Sequence, residues 1–306
     1  MRQTAGYQEL LEVSRAVNWR VDDLIGGERR LDFSKPFLPE TFARTEALVF
    51  LTPGERLILN HIRARGYLAM FELVETFIVP FISEQAVERP GDDPHRGAAL
   101  RQFVREETKH RELFRRFLAE FDAGFGFECG LIGPAQDIAD AILSHGDLAV
   151  TIAVLGLEWM SQGHYLESTR DDRALDPQFK RLLEHHWLEE AQHAQLDGLI
   201  LRAIAKTASP AEVDRAVDEY FEIGAFFDAG FARQAELDMD AFANATGRVL
   251  NPAEREAFLK VQHQALCWTF LGTAMLDRNF LADMSVLGGS ARVRIEQAAQ
   301  IFATLH

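Results

Sequence analysis

Cysteine is scarce in this 306-residue chain: there are two, Cys129 and Cys267. Their separation excludes a CxxC metal site and a disulfide framework. Basic residues are outnumbered, 32 Lys and Arg against 47 Asp and Glu, for a formal net charge of −15. That balance argues against nucleic acid, whose binding depends on counterion release by Lys and Arg, and against an anionic membrane surface. No uncharged apolar run approaches the roughly 18 residues that span a bilayer. The opening MRQTAGYQELLEV also lacks the basic-then-apolar run of a signal peptide. Alternating β-branched strands are missing, which argues against a Rossmann or barrel fold. The glycine-rich FDAGFGFECGLIGP lacks GxxxxGK[ST] and follows no strand, so no nucleotide cradle is expected. The expectation is a soluble, cytoplasmic protein with neither nucleic acid nor membrane as partner.

Proline is also sparse, with ten in all, and several prolines stand where a helix would begin. Thr52-Pro53-Gly54-Glu55, Ser209-Pro210-Ala211-Glu212 and Asn251-Pro252-Ala253-Glu254 share one pattern. Each has a capping side chain, Pro at the first helical position, and Glu at the third, where it can reach back to the cap amide. Asp176-Pro177 starts another helix without the Glu. These signals predict long helices at 53–82, 97–122, 139–171, 177–207, 210–244 and 252–286, with shorter ones at 5–17 and 290–304. Arg89-Pro90-Gly91-Asp92-Asp93-Pro94 and the run from Ala123 to Pro134 break the chain between them. The reading is one all-α domain over 1–306, a helical bundle with additional N- and C-terminal helices. The bundle occupies 53–207 and the extra C-terminal helices 210–304.

The chemistry-bearing residues fall on that helical frame. Two Glu-x-x-His pairs occur, Glu107/His110 in REETKHREL and Glu190/His193 in LEEAQHAQL. Helical residues three apart share a face, so each pair offers a carboxylate and an imidazole to one point. A single such pair is as well explained by a surface Glu beside a solvated His. Each pair, however, follows a long helix that carries a carboxylate inside an apolar stretch. Glu158 is the only Asp, Glu, Lys or Arg from Leu148 to Leu166. Buried unpaired it would cost several kcal/mol or be protonated, so it calls for a cationic partner or a hydrogen bond in the core. The earlier helix offers Glu72 and Glu75 in MFELVETFIVPF, and periodicity does not choose between them.

The order is therefore Glu, Glu-x-x-His, Glu, Glu-x-x-His on four consecutive long helices, the set that a carboxylate-bridged dinuclear site in a four-helix bundle requires. Carboxylates bridge and neutralise two cations, and imidazoles suit iron or manganese. His186 lies four residues before Glu190 and extends the stripe to His-x-x-x-Glu-x-x-His, as an extra ligand or as a core histidine. His185 points elsewhere. Tyr67, Gln162, His164, Tyr165 and Gln192 are candidates to support the imidazoles from behind. Phe71, Phe77, Phe103, Phe114, Trp159 and Met160 read as core.

At these residues the chain resembles the diiron N-oxygenase family typified by p-aminobenzoate N-oxygenase (AurF-like), which carries the same ligand order, including the additional histidine. The likeness covers roughly residues 45–200, through Thr52-Pro53, Arg56, Gly66-Tyr67, the Gly91-Asp92-Asp93-Pro94 turn and AVLGLE before the ligand. Agreement at Gly66-Tyr67 and Thr-Phe-Ile favours Glu75, whereas an ungapped match to the Asp-Asp-Pro turn favours Glu72; the longer agreement selects Glu75. Glu106 stands where the family often has Asp, an exchange expected to matter little.

The resemblance implies a ferritin-like diiron domain with Glu75, Glu107, His110, Glu158, His186, Glu190 and His193 as metal-binding and catalytic residues. It implies two iron ions, with manganese or a mixed pair compatible, and an oxygenase that uses O2 to oxidise an aromatic amine. A C–H hydroxylase or desaturase is the alternative, and a ferritin-like iron-binding protein a third. No flavin, NAD or iron–sulfur motif is visible, so electrons are expected from an external reductase or ferredoxin. A monomer or homodimer is expected rather than a shell.

Overall fold

The computed structural model describes residues 5–88 and 91–303. Among the described residues there is no strand, and the sole extended pairing is the isolated bridge Gly26–Arg29. An N-terminal arm carries α1 (Tyr7–Ala16), α2 (Val21–Leu24) and α3 (Glu40–Ala43). The long helices α4 (Pro53–Gln85) and α5 (Arg96–Phe125) follow, then the short α6 (Ala135–Leu143), α7 (Asp147–Gly163) and α8 (Pro177–Ala205). The C-terminal layer is α9 (Pro210–Thr246), α10 (Pro252–Cys267), α11 (Thr273–Leu276), α12 (Arg278–Met284) and α13 (Gly289–Ala303).

The proline-marked starts form as their chemistry requires. Thr52, Ser209 and Asn251 each accept from the amide three residues on, and Glu55, Glu212 and Glu254 each accept the cap residue's own amide. Asp176 caps α8 by accepting from Phe179 N at 2.7 Å. Arg248 then forks between two of these boxes, reaching Glu55 at 2.9 Å and Glu254 at 2.8 Å, and so ties the start of α4 to the start of α10.

Two expected helices are interrupted. The run expected at 139–171 begins at Ala135, breaks at Ser144–Gly146 and restarts as α7. Gly146 is extended, and its free amide donates to Glu219 of α9 at 2.9 Å. That partner lies 73 residues away and leaves no local signal. The run expected at 252–286 passes through a π-helical turn, Trp268–Gly272, and stops at Asp277. There Asp277 turns extended and accepts the amides of Asn279 and Phe280 to start α12. The last residue of the 290–304 expectation, and Arg89-Pro90 of the expected turn, lie outside the described residues.

α4 packs on α5 and α7 on α8 as two antiparallel hairpins; α5 meets α8, and α9 lies across both α4 and α7. The four long helices thus face one another around a shared interior. α4 is long and apolar enough to cross a membrane, but 72% of its most apolar window is buried, as suits the central helix of a bundle. The arm docks on the outside of this bundle, α1 against α5 and α8. Gly124 on α5 permits that approach, since a Cβ there would overlap the Phe33 ring. Phe77, Phe103, Phe114, Phe117 and Phe121 are fully buried, each contributing about 1.5–3 kcal/mol of transfer free energy.

Candidate metal centre

At one level of the bundle interior four helices each bring a buried carboxylate. Glu75 comes from α4, Glu107 and His110 from α5, Glu158 from α7, and His186, Glu190 and His193 from α8, all buried. On α8 the spacing of four and three residues sets the three side chains in one stripe facing the other hairpin.

His193 Nδ1 lies 2.7 Å from Glu107 Oε1, 3.3 Å from Glu190 Oε1 and 4.0 Å from Glu158 Oε2. His110 Nδ1 lies 3.1 Å from Glu190 Oε1, 3.3 Å from Glu107 Oε2 and 4.0 Å from Glu75 Oε1. Glu107 and Glu190 therefore each face both imidazoles, while Glu75 and Glu158 sit at opposite ends. His186 Nε2 approaches Glu190 Oε1 at 3.1 Å on the Glu75–His110 side. One half of the site thus holds two imidazoles and the other half one.

Glu72 stands apart from this cluster. It is partly exposed and pairs with Arg115 at 2.9 Å and Arg111 at 3.9 Å. The side chain brought to the cluster from α4 is that of Glu75.

Each of the paired imidazoles is held from behind by a carboxylate of the opposite hairpin. His110 Nε2 donates to Glu189 at 2.9 Å, and His193 Nε2 donates to Glu106 at 3.0 Å. Since an ionised carboxylate can only accept, Nε2 carries a hydrogen and Nδ1 faces the centre, where a metal ion would take the place of any proton it holds. Glu106 in turn accepts from Gln102 at 2.9 Å and from Ser14 of the arm at 2.5 Å. Glu189 pairs with Lys109, whose ammonium lies 3.8 Å from the centroid of the Trp19 ring. Trp19 is nearly parallel to the His110 ring, with centroids 6.1 Å apart, and Phe103 stacks on His193 at 3.9 Å.

These supports differ from those expected. Tyr67 and His164 meet each other at 2.9 Å, Gln162 donates to the Trp187 carbonyl at 3.2 Å, and Tyr165 stacks on Trp187 at 4.8 Å. Gln192, with its amide turned, donates to the carbonyls of Leu188 and Glu189. None of the five takes the outer hydrogen of His110 or His193. Glu106 and Glu189, neither expected in that role, take them instead. A signal was present in the sequence: both motifs read Glu-Glu-x-x-His, and the first Glu of each supports the other's histidine.

The electrostatics are those of a crowded acidic site. Burial, then repulsion by Glu107, pushes the Glu75 carboxyl well up. Burial, then Glu190, does the same to Glu158. Burial also opposes ionisation of Glu107 and Glu190, but facing imidazoles and the carboxyls of Glu75 and Glu158 outweigh it and hold both well below the usual range. His110 and His193 are pulled up against burial by the carboxylates around them, Glu107 first. Within each pair burial and repulsion thus favour the protonated form of Glu75 and Glu158 beside ionised Glu107 and Glu190.

The donor set fits two metal ions. Glu75 Oε2, Glu107 Oε1, Glu158 Oε2, Glu190 Oε1 and His193 Nδ1 are all buried without a hydrogen-bond partner. His193 Nδ1 and Glu107 Oε1 lie within hydrogen-bond distance, yet their geometry does not make a bond. Five orphaned lone-pair atoms at one level would each cost about 1–3 kcal/mol, an arrangement that cations relieve.

The class defined by fold and site is a helical bundle whose interior Glu/His cluster is able to bind a dinuclear metal centre. No family model matches the chain, and no curated protein matches it. Among solved structures it is similar to two point mutants of the R2-like ligand-binding oxidase, one with an aerobically and one with an anaerobically reconstituted Mn/Fe cofactor. Each is 15% identical, with a TM-score of 0.50, covering 92% of this chain and 94% of the other. That likeness establishes an all-α, ferritin-like fold.

An apolar cavity lies beside the centre, between the bundle and the C-terminal layer. Val74 and Leu157, which directly precede Glu75 and Glu158, form one wall; Tyr220, Phe227 and Phe231 of α9, with Phe270 and Met275, form the other. The Tyr220 hydroxyl is its one hydroxyl group. Phe71 links cavity and centre, its ring 5.2 Å from that of His186 and 6.1 Å from that of Phe270. The free space is about 40 Å³, more than the roughly 10–15 Å³ that one water needs. Met70 and Met275, unbranched and flexible, can enlarge it.

Proposed function

We propose that this chain is an O2-using oxidoreductase with a dinuclear iron or manganese–iron centre held by Glu75, Glu107, His110, Glu158, His186, Glu190 and His193. A pair of bound redox-active ions supplies electrons to O2. The chain's residues do the rest: Glu107 and Glu190 stand where they can bridge, Glu75 and Glu158 where they can close the two ends. Glu106 and Glu189 fix the imidazoles. The ions reported for the R2-like oxidase structures agree with this donor set, and the unequal halves of the site suit unlike ions.

The substrate is proposed to be a small aromatic amine oxidised at nitrogen, as the resemblance to the AurF-like family implies. The observation that carries an oxidase rather than an iron store is the apolar cavity lined by Val74 and Leu157, the residues that precede Glu75 and Glu158. Its phenylalanine walls suit a flat ring, and the absence of a charged lining residue suits a neutral amine. The same apolar lining favours a second reading, hydroxylation at a C–H bond of a small apolar compound. Electrons are proposed to come from an external reductase or ferredoxin, drawn by the acidic surface. We place this activity in the cytoplasm, with residues 1–306 acting as one unit.

The test is direct. Protein loaded anaerobically with iron, or with manganese and iron, is reduced and exposed to O2 with a panel of arylamines and apolar hydrocarbons, and products are read by mass. Hydroxylamine or nitro products support N-oxygenation, and hydroxylated hydrocarbons support the second reading. Iron uptake into a large shell, with no product from either panel, refutes both. His186→Ala should keep about two metal ions per chain and lose turnover.

A further inference from the structure

A second group of metal-ligand atoms lies away from the bundle centre, between α9 and α10. His263 and Cys267 are four residues apart on α10, so their side chains leave one helical face, and Asp228 reaches them from α9. Asp228 Oδ1 lies 2.9 Å from His263 Nε2 and 2.9 Å from Cys267 Sγ. The three ligand atoms all fall within 4.8 Å of one another. Their burial is graded, with Cys267 3% exposed and the side chains of His263 and Asp228 33% and 49% exposed. The sulfur forms a floor, the imidazole and carboxylate form a rim, and the open side faces a surface hollow lined by Phe221, Gly224 and Met275.

We propose that Asp228, His263 and Cys267 bind one divalent metal ion, zinc above all, independently of the bundle centre. Sulfur, nitrogen and oxygen donors with an open fourth position make up the tetrahedral set that zinc takes, with water or a small ligand completing it. A histidine and a second ligand at i and i+4 on one helix is a spacing zinc sites use. The charges balance: thiolate and carboxylate supply two negative charges, the neutral imidazole none, and a divalent ion cancels them. Burial, then the Asp228 carboxylate, keeps the free thiol protonated far above its ordinary range, so metal binding releases that proton to water. Without a metal, His263 donates to the carboxylate and to the Asp228 carbonyl at 3.1 Å. That hydrogen-bonded arrangement is the competing account.

Occupancy would have a consequence for the apolar cavity. Gly224 and Met275 line both the hollow and the cavity, so an ion joining α9 to α10 would fix the wall between them.

The experiment uses full-length protein whose bundle centre is already filled with iron or manganese, titrated with cobalt(II) at mildly alkaline pH. A thiolate-to-cobalt charge-transfer band in the near ultraviolet reports sulfur ligation, and the bundle cluster contains no sulfur donor. The band should saturate at one cobalt per chain, be displaced by zinc, vanish in Cys267→Ser and persist in Cys129→Ser. His263→Ala, at a position one third exposed, should shift the titration midpoint by about tenfold or more, since even loss of an outer partner of a metal ligand costs about 10–100-fold. A wild-type titration with no band, a band that survives Cys267→Ser, or one lost in Cys129→Ser would overturn the assignment.

Discussion

Glu189 on α8 accepts the Nε2 hydrogen of His110 on α5 at 2.9 Å, across the interface between the two hairpins. Glu106 repeats the contact in the other direction with His193 at 3.0 Å. The two Glu-Glu-x-x-His segments therefore lock each other, and neither hairpin completes its half of the site alone. Glu106→Gln and Glu189→Gln should each leave the fold intact and weaken metal binding by about 10–100-fold, read by competition with a chelator. Glu106→Ala should cost stability as well, because Ser14 and Gln102 lose their acceptor. Unchanged affinity in both Gln variants would remove the orienting role.

This reciprocity marks the limit of what the sequence discloses. The ligand-type residues were legible because each sits in an unusual context: Glu158 in an apolar run, the two Glu-x-x-His pairs on one helical face each. Helix starts were legible because a capping box is local chemistry. The doubled Glu of both motifs marked Glu106 and Glu189 but not their role, because a Glu beside a ligand is turned about 100° round the helix, where it reads as a solvated residue. Only the close approach of α5 to α8 makes it a partner. The break at Gly146 and the walls of the cavity depend in the same way on α9, whose facing residues are set by tertiary packing.

Metal binding should release protons. Glu75 and Glu158 are pushed up by burial and by neighbouring carboxylates, and His110 and His193 are raised by the carboxylates facing them. A divalent ion must displace those protons, so affinity falls as pH falls. Calorimetric titration of metal-free protein in buffers of different ionisation enthalpy should give about two to four protons released per chain at neutral pH. Binding that releases none would mean that the centre is already ionised.

A distinct acid sensitivity should come from His164, in the π-helical turn after α7. Burial lowers its pKa to about 3, against a backbone contact with Thr269 that raises it. Its Nδ1 meets the Tyr67 hydroxyl and its Nε2 meets Thr273, each at 2.9 Å, so the neutral ring is fully used. The folded state therefore binds fewer protons than the unfolded state below the ordinary histidine value near 6.5. Its contribution is complete above that pH and declines as pH falls towards 3, by about 1.4 kcal/mol per unit. His164→Gln, which can still accept from Tyr67 and donate to Thr273, should flatten denaturant-derived stability between pH 6.5 and 5 relative to wild type. Parallel pH curves for the two proteins would show that His164 does not carry this sensitivity.

The cavity can be tested separately from the metals at Gly224. This glycine lies inside α9, where glycine costs about 1 kcal/mol relative to alanine. A Cβ there would meet only Met275 Cε, at 3.9 Å, so nothing in the packing forbids a side chain. Gly224→Ala should therefore raise stability by about 1 kcal/mol and keep the metal content. Gly224→Leu would project about three more carbons into the space bounded by Tyr220, Phe227 and Phe270. It should bind metal as wild type does, reduce O2 when supplied with electrons, and lose oxidation of the larger arylamines before the smaller ones. If substrate oxidation were instead lost uniformly along with O2 reduction, the side chain would be acting on the centre and not on the cavity. If every arylamine were oxidised as by wild type, the substrate would bind elsewhere.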